Sequence, residues 1–545
     1  MDSQPSKLDR RSFVRLAATG MMAMPALLAA CGGAATPASP ASSPASAVAK
    51  PASVSAAASP SAATSVAASA GASASAAAKP SAGASGSAAA NPALPTYIPL
   101  ASKPKPDYVS KGELYEDGYI AYPKNAPKSV TTTPGSGGTV ALFDDGLYPL
   151  ATPVDQNPAW QAINKALGAT IQFNKVPPAD YNAKLAAIMA GGDLPDLVSL
   201  FGGLGAAPNL PQFLQQAASD LTPFLGGDKA KDYPNLANIP TFAWKNVGGV
   251  LGGKLWMVPI ERPIISNMLL RNVNIWDKVL GQDYTPKNSD DFKRALQAVN
   301  DPSKNQWAIG AFQGPGTDSR APAPVYMMTM FASFFGSPNN WSLDSASGKL
   351  TKDWETPQFK EAVGYVRDIV AAGLYYPDSV NTTSAPQGMT NFMNGKHVLA
   401  MRTLGLDWAD GWAQGQGKTP PLVSMPIKPW AAHDGQKPVF FLGTGYAAGT
   451  MIKKASPDRV QELLRILNWT ASPFGTQEYL LMNYGIEGTH YQFDANGNPV
   501  TTDKNKWMND VYNLDWRYMA SAPQVMYNAN YPDYAKAEYD AETAL

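Results

Sequence analysis

Very little in this chain has the spacing that catalysis needs. The three histidines, His397, His433 and His490, lie at no metal-ligand spacing, and the single cysteine, Cys31, cannot complete a set with them. Zinc chemistry is therefore not expected, and no cofactor is. There is no G-x-S-x-G nucleophile elbow and no G-x-x-x-x-G-K-[ST] phosphate loop. The glycines at Gly202 to Gly205 follow an apolar run, where they signal close backbone approach more than a nucleotide site. Asp144 and Asp145 are placed just past the carboxyl end of a first strand, where open α/β sheets bind ligands. Neighbouring carboxylates point apart, and glycosidase pairs face each other across a cleft. The pair is therefore read as a loop cap or as acceptors for ligand hydroxyls. Aromatics make up 10% of the chain, with 13 Trp, and they divide by context. Trp160, Trp276 and Trp469 fall on apolar helix faces and belong to the core. Trp244, Trp256, Trp307, Trp408 and Trp412 sit among glycines and polar groups, and at least one of them is expected to present a flat apolar face to a sugar ring.

The elements that would position these groups are legible. Thr139 to Phe143 reads as a short buried strand closed by turn residues. Asn157 caps a helix with Pro158 at its first position; Trp160, Ile163 and Leu167 recur at helical spacing, and Gly168 ends it. A strand at ATIQF, a helix capped by Asp180 and stopped by Gly191, and a strand at PDLVSL follow. Strand and helix alternating over about 65 residues is the pattern of an α/β unit with a parallel sheet. Further helices are expected over Ser289 to Asn300 and over Thr356 to Gly373, the latter with Phe359, Val363 and Val366 inward. Two more start at Ser456–Pro457 and Ser472–Pro473.

Composition sets the outer limits. Lys plus Arg and Asp plus Glu are both 43, so the chain is neutral, and a basic stripe for nucleic acid is not expected. With one cysteine no internal disulfide can form. The first 30 residues carry a charged start with Arg10–Arg11, a short apolar run and small residues before Cys31, the arrangement of a secretory signal. LLAAC at 27–31 resembles the lipobox of bacterial lipoproteins, and Arg10–Arg11 followed by Phe13 resembles a twin-arginine export signal, with Asp9 as a departure. Those resemblances imply cleavage after residue 30, lipidation of Cys31 and attachment to the outer face of the cell membrane. Residues 31–95 are then a lipid-anchored tether, almost all Ala, Ser and Pro from 34 onward, too poor in apolar side chains to fold. As a coil its ends would lie roughly 45 Å apart. Residues 96–136 read as a second linker or a surface strap.

Several spaced segments together resemble the extracellular solute-binding proteins of ABC importers, in the carbohydrate-type family 1 lipoproteins. They are ALGATIQFNKVPPADYNAKLAAIMAGGDLPDLV, GGKLWMVPI leading to MLLRNVNIWDKVLG, GMTNFMNGKHVLAMRTLG, and LNWTASPFGTQEYLLMNYGIEGTHYQFDANGNP. The resemblance covers most of Gly137 to Tyr491. It implies a two-lobed α/β protein of the type II periplasmic-binding-protein kind, with a hinge and an interlobe cleft. Lobe 1 would be 137–260 with 445–490, and lobe 2 would be 261–444 with 491–545. Crossings are expected near Pro259–Glu261 and Gly443–Gly445. The matching segments imply cleft positions at Asp144, Asp145, Phe201, Trp256, Glu261, Arg262, Trp408 and Tyr446. They imply a small solute, a carbohydrate, as ligand and permease subunits as partners. Two alternatives stay open: a binder of a non-sugar solute such as a peptide or organic anion, and an exported carbohydrate-active enzyme.

Overall fold

A computed structural model describes residues 93–544, omitting 101–102, 113, 147–149, 151, 266, 312–326, 383–384, 404–407, 409–414, 416 and 515. Arg10–Arg11, Cys31, Trp412 and the tether up to residue 92 lie outside the described residues. Two sheets organise the rest. The first begins with β1 (Thr139–Asp145), two residues longer than the apolar run alone suggests, because the backbone of Asp144 and Asp145 continues the pairing to Val176. Helix α1 (Pro158–Leu167) starts as its sequence directs. The Asn157 side chain accepts from the Trp160 amide, and Gly168 closes the helix in the left-handed region. Trp160, Ile163 and Leu167 are buried beneath it, at roughly 1.5–3 kcal/mol for each large apolar side chain removed from water. β2 (Thr170–Val176), α2 (Pro178–Gly191) and β3 (Leu197–Phe201) follow. Asp180 lies in the first turn of α2 rather than capping it, since Pro178 already suits the helix start.

β4 (Val258–Glu261) completes this half of the sheet, and the chain then moves to the second one. There β5 (Asn267–Asn272), α3 (Ser289–Val299), β6 (Trp307–Ile309), α4 (Pro357–Ala371), β7 (His397–Thr403) and β8 (Ser424–Pro426) form the order β8-β5-β7-β6 with its helices. In α4 the inward residues are Ala362, Val366 and Ile369, whereas Val363 is exposed; the buried stripe lies one position round from the expected one. The chain returns on β9 (Tyr446–Ile452), which inserts antiparallel between β3 and β4 to give β2-β1-β3-β9-β4. α5 (Pro457–Thr470) starts at the Ser456 cap as expected. α6 (Gln477–Tyr484) is capped by Thr476, not by Ser472, whose hydroxyl instead bonds the Trp469 carbonyl and closes α5.

The first crossing begins at Arg262, just beyond the expected Pro259–Glu261, because β4 keeps Glu261 in register with Tyr446. The C-terminal segment also differs from its expected place. Leu514, Trp516, Met519 and Ala520 pack in the core of the first sheet, Thr450 Oγ1 donates to the Met519 carbonyl (2.7 Å), and Ser521 bridges Ile260 in parallel. Only α7 (Asp533–Thr543) joins the second sheet, placing Tyr534 and Ala541 against Ile264, Met268, Leu270 and Trp408. Apolar residues without strand or helix periodicity gave no sign of which core they fill.

The ordered fold starts before residue 96: Ala93 is buried, Pro95 bridges Gly227, and Ile98 donates to the Ala237 carbonyl (2.9 Å). Residues 103–130 are a strap. Tyr119 pairs with Met526, the Tyr122 hydroxyl donates to the Thr476 carbonyl (2.6 Å), and Glu478 accepts from the Ser129 and Val130 amides. Among the described residues no helix is long and apolar enough to cross a membrane.

Candidate functional site

Register decides where a ligand can sit. β1 and β3 run parallel, β9 runs against β3, and β4 runs against β9, so β1, β3 and β4 all end on one edge. Both connections to the second sheet, after Glu261 and before Tyr446, leave from that edge. The second sheet mirrors the arrangement. β6 is parallel to β7, both β7 and β8 run against β5, and all three end where β5 begins. The carboxyl ends of the parallel strands in both lobes therefore point to the junction, the position where such sheets bind ligands.

Asp144, Asp145, Phe201, Glu261, Arg262 and Tyr446 are brought to this edge in the first lobe. Phe201 is half-buried at the end of β3, with its ring centre 5.7 Å from Tyr181 and 5.3 Å from Tyr518. The Arg262 guanidinium lies 5.3 Å from the centre of the Tyr518 ring and donates to the Glu261 carbonyl (2.7 Å). The Arg262 amide donates to the Gly445 carbonyl, pinning the two connections together. The Tyr446 hydroxyl donates to the Gly202 carbonyl (3.3 Å). Glu261 is buried, its carboxylate accepting from the Gln524 amide (3.0 Å). Burial pushes its pKa up to about 8, with Arg262 and the Gln524 amide acting in the opposite direction. Asp144 and Asp145 are also buried, as the last residues of β1 rather than as a loop beyond it.

Two expected positions are corrected. Trp408 is wholly buried against Ile264, Met268, Leu270 and Tyr534, and its indole N–H donates to Ser424 Oγ (3.1 Å). It offers no open ring face, because the short apolar residues of the crossing and α7 close over it. Trp256 precedes β4, at the end of the sheet away from the junction, packed in a core with Phe143 and Met257 and bonded to the Leu251 carbonyl. Tyr518 was missed; it sits in the aromatic C-terminal stretch, whose only signal was its aromatic content. The edge combines aromatic faces, buried carboxylates and a guanidinium, a set suited to stacking on ring C–H faces and bonding hydroxyls.

The family model for bacterial extracellular solute-binding proteins matches residues 159–486. The chain is similar to lipoprotein LipO of Bacillus subtilis (strain 168), 23% identical over 366 residues, 66% of this chain and 68% of LipO. It is also similar to the polygalacturonan/rhamnogalacturonan-binding protein YtcQ of the same organism, 27% identical over 354 residues, 63% of this chain and 65% of YtcQ. The chain thus spans about two thirds of the length of these relatives. Among solved structures, alginate-binding protein AlgQ2 aligns with a TM-score of 0.51 at 15% identity, covering 75% of this chain and 83% of AlgQ2. The S. pneumoniae ABC-transporter substrate-binding protein FusA, in complex with kestose, gives 0.51 at 18%, covering 74% and 82%. These structural likenesses establish the two-lobed fold. The chain belongs to the family of bacterial extracellular solute-binding proteins.

Proposed function

We propose that this protein is the substrate-binding component of an ABC importer, capturing a sugar or oligosaccharide outside the cell and delivering it to membrane permease subunits. The observation that carries the reading is the convergence of Phe201, Tyr518, Arg262, Glu261 and Tyr446 at the edge from which both connections between lobes leave. A ligand held there touches both lobes only when they close, so it favours the closed form, which a permease can recognise. The polygalacturonan/rhamnogalacturonan binding of YtcQ supports a carbohydrate ligand. In the same reading the leader with Arg10–Arg11 exports the chain, Cys31 is lipidated, and the Ala/Ser/Pro tether keeps the head close to its permease, raising the effective concentration. A single acyl chain holds a membrane only marginally, so the anchor carries more than one. The protein binds its solute and does not transform it.

A thermal-shift screen of the full chain against mono- and oligosaccharides tests this. A bound sugar should raise the melting temperature by mass action and be recovered unchanged on unfolding. A shift with peptides or organic anions and none with sugars, or hydrolysis products in place of the added sugar, overturns it.

A further inference from the structure

We propose that Glu116, Glu538 and Glu542 form an oxygen-lined site for a hard divalent cation of the Ca2+ type, which staples the 103–130 strap to α7. The three side chains are buried, and each offers a carboxylate oxygen within 4.8 Å of the other two. Glu538 and Glu542 are one turn apart on α7, so both carboxylates leave the same face of the helix, directed at Glu116 on the strap. A second observation is independent of this proximity. Both carboxylate oxygens of Glu116 are inaccessible to solvent and reach no hydrogen-bond donor, whereas the buried carboxylate of Glu542 is faced by the Glu116 amide. Glu538 is held differently, by the Tyr534 hydroxyl one turn away.

Among the described residues, the charges acting on Glu116 are those of Glu538, Glu542 and Glu261. A buried carboxyl either keeps its proton or, when ionised, is paired or coordinates a metal. Three glutamates supply up to six oxygens, the lower end of the coordination number that Ca2+ takes. Bidentate carboxylates in a dry site suit it better than Mg2+, which keeps its waters. The strap is bonded to the first lobe through Tyr122 and Thr476, whereas α7 packs on the second sheet through Tyr534 and Ala541. A cation here therefore links the two.

The full chain, stripped with EDTA, would be dialysed against Ca2+ and melted with and without about 1 mM Ca2+, a level at or above the dissociation constants of most oxygen-ligand sites. Retention of one Ca2+ per chain and a melting temperature several degrees higher are expected. Glu116→Gln and Glu542→Gln should each abolish both effects, while Glu487→Gln on the exposed surface should leave them. Failure of the native chain to retain Ca2+ overturns the proposal without recourse to any variant. So does retention and stabilisation unchanged in both glutamine variants. If either variant does not fold, Tb3+ emission sensitised by Tyr534 in the native chain, displaced by Ca2+, reads the site directly, and its absence is equally fatal. Ca2+ retention and the Ca2+-dependent melting shift are read without sugar, so failure of this proposal is distinguishable from failure of the sugar-binding reading.

Discussion

Replacing Glu261 with glutamine should make the protein more stable in base and leave it nearly unchanged in acid. The native carboxyl holds its proton up to about pH 8, against an ordinary value of 4.5, chiefly because it is buried. Between those values the folded chain binds a proton that the unfolded chain has released, so stability falls as the pH rises. The displacement amounts to about 5 kcal/mol, nearly intact below pH 4.5 and lost progressively as the pH passes through about 8. Glutamine cannot ionise, and its amide oxygen can still accept from the Gln524 N–H. Relative to the native chain, Glu261→Gln should therefore gain about 4 kcal/mol from pH 5 to pH 9. Urea unfolding followed by tryptophan fluorescence, in EDTA at pH 5, 7 and 9, reads this as a widening gap between the two midpoints. Midpoints that move in parallel over that range would refute the account of Glu261 as a buried, protonated acid.

Other expectations are simpler. Trp408→Ala should cost about 3–5 kcal/mol in urea unfolding, as a core truncation does, while leaving sugar affinity by calorimetry within about twofold. Phe201→Ala should do the reverse, weakening sugar binding about tenfold through loss of a ring contact while moving the melting temperature little. Cys31→Ala should release the protein into the soluble fraction or leave an uncleaved precursor, as read by fractionation and blotting; unchanged membrane attachment would defeat the lipid anchor.

Sequence was a good guide wherever one local rule dominates. Asn157 with Pro158 and Ser456 with Pro457 start their helices as capping chemistry requires, and Leu197 to Phe201 form the buried strand that their apolar run suggests. It misled where tertiary packing decides. Ser472–Pro473 has the same local signature as Ser456–Pro457, yet it closes one helix instead of opening the next. Trp408 looks like a loop aromatic until Ile264 and Tyr534 cover it, and those two come from the crossing and from the chain end. In the candidate site, Glu261, Arg262 and Tyr446 could be found because they flank the connections between lobes. Tyr518 could not, because it reaches Phe201 only after the C-terminal stretch runs back beside β4.

That return of the chain has a consequence for handling the protein. β4 is an outer strand, and the stretch around Ser521 shields it, with Ser521 bridging Ile260 and Gln524 bonding Glu261. Proteolytic clipping ahead of Tyr512 would uncover a bare row of amides and carbonyls, a template for strand-to-strand self-association between molecules. Shortened expression variants that end there would be expected to aggregate before they could reveal anything about transport.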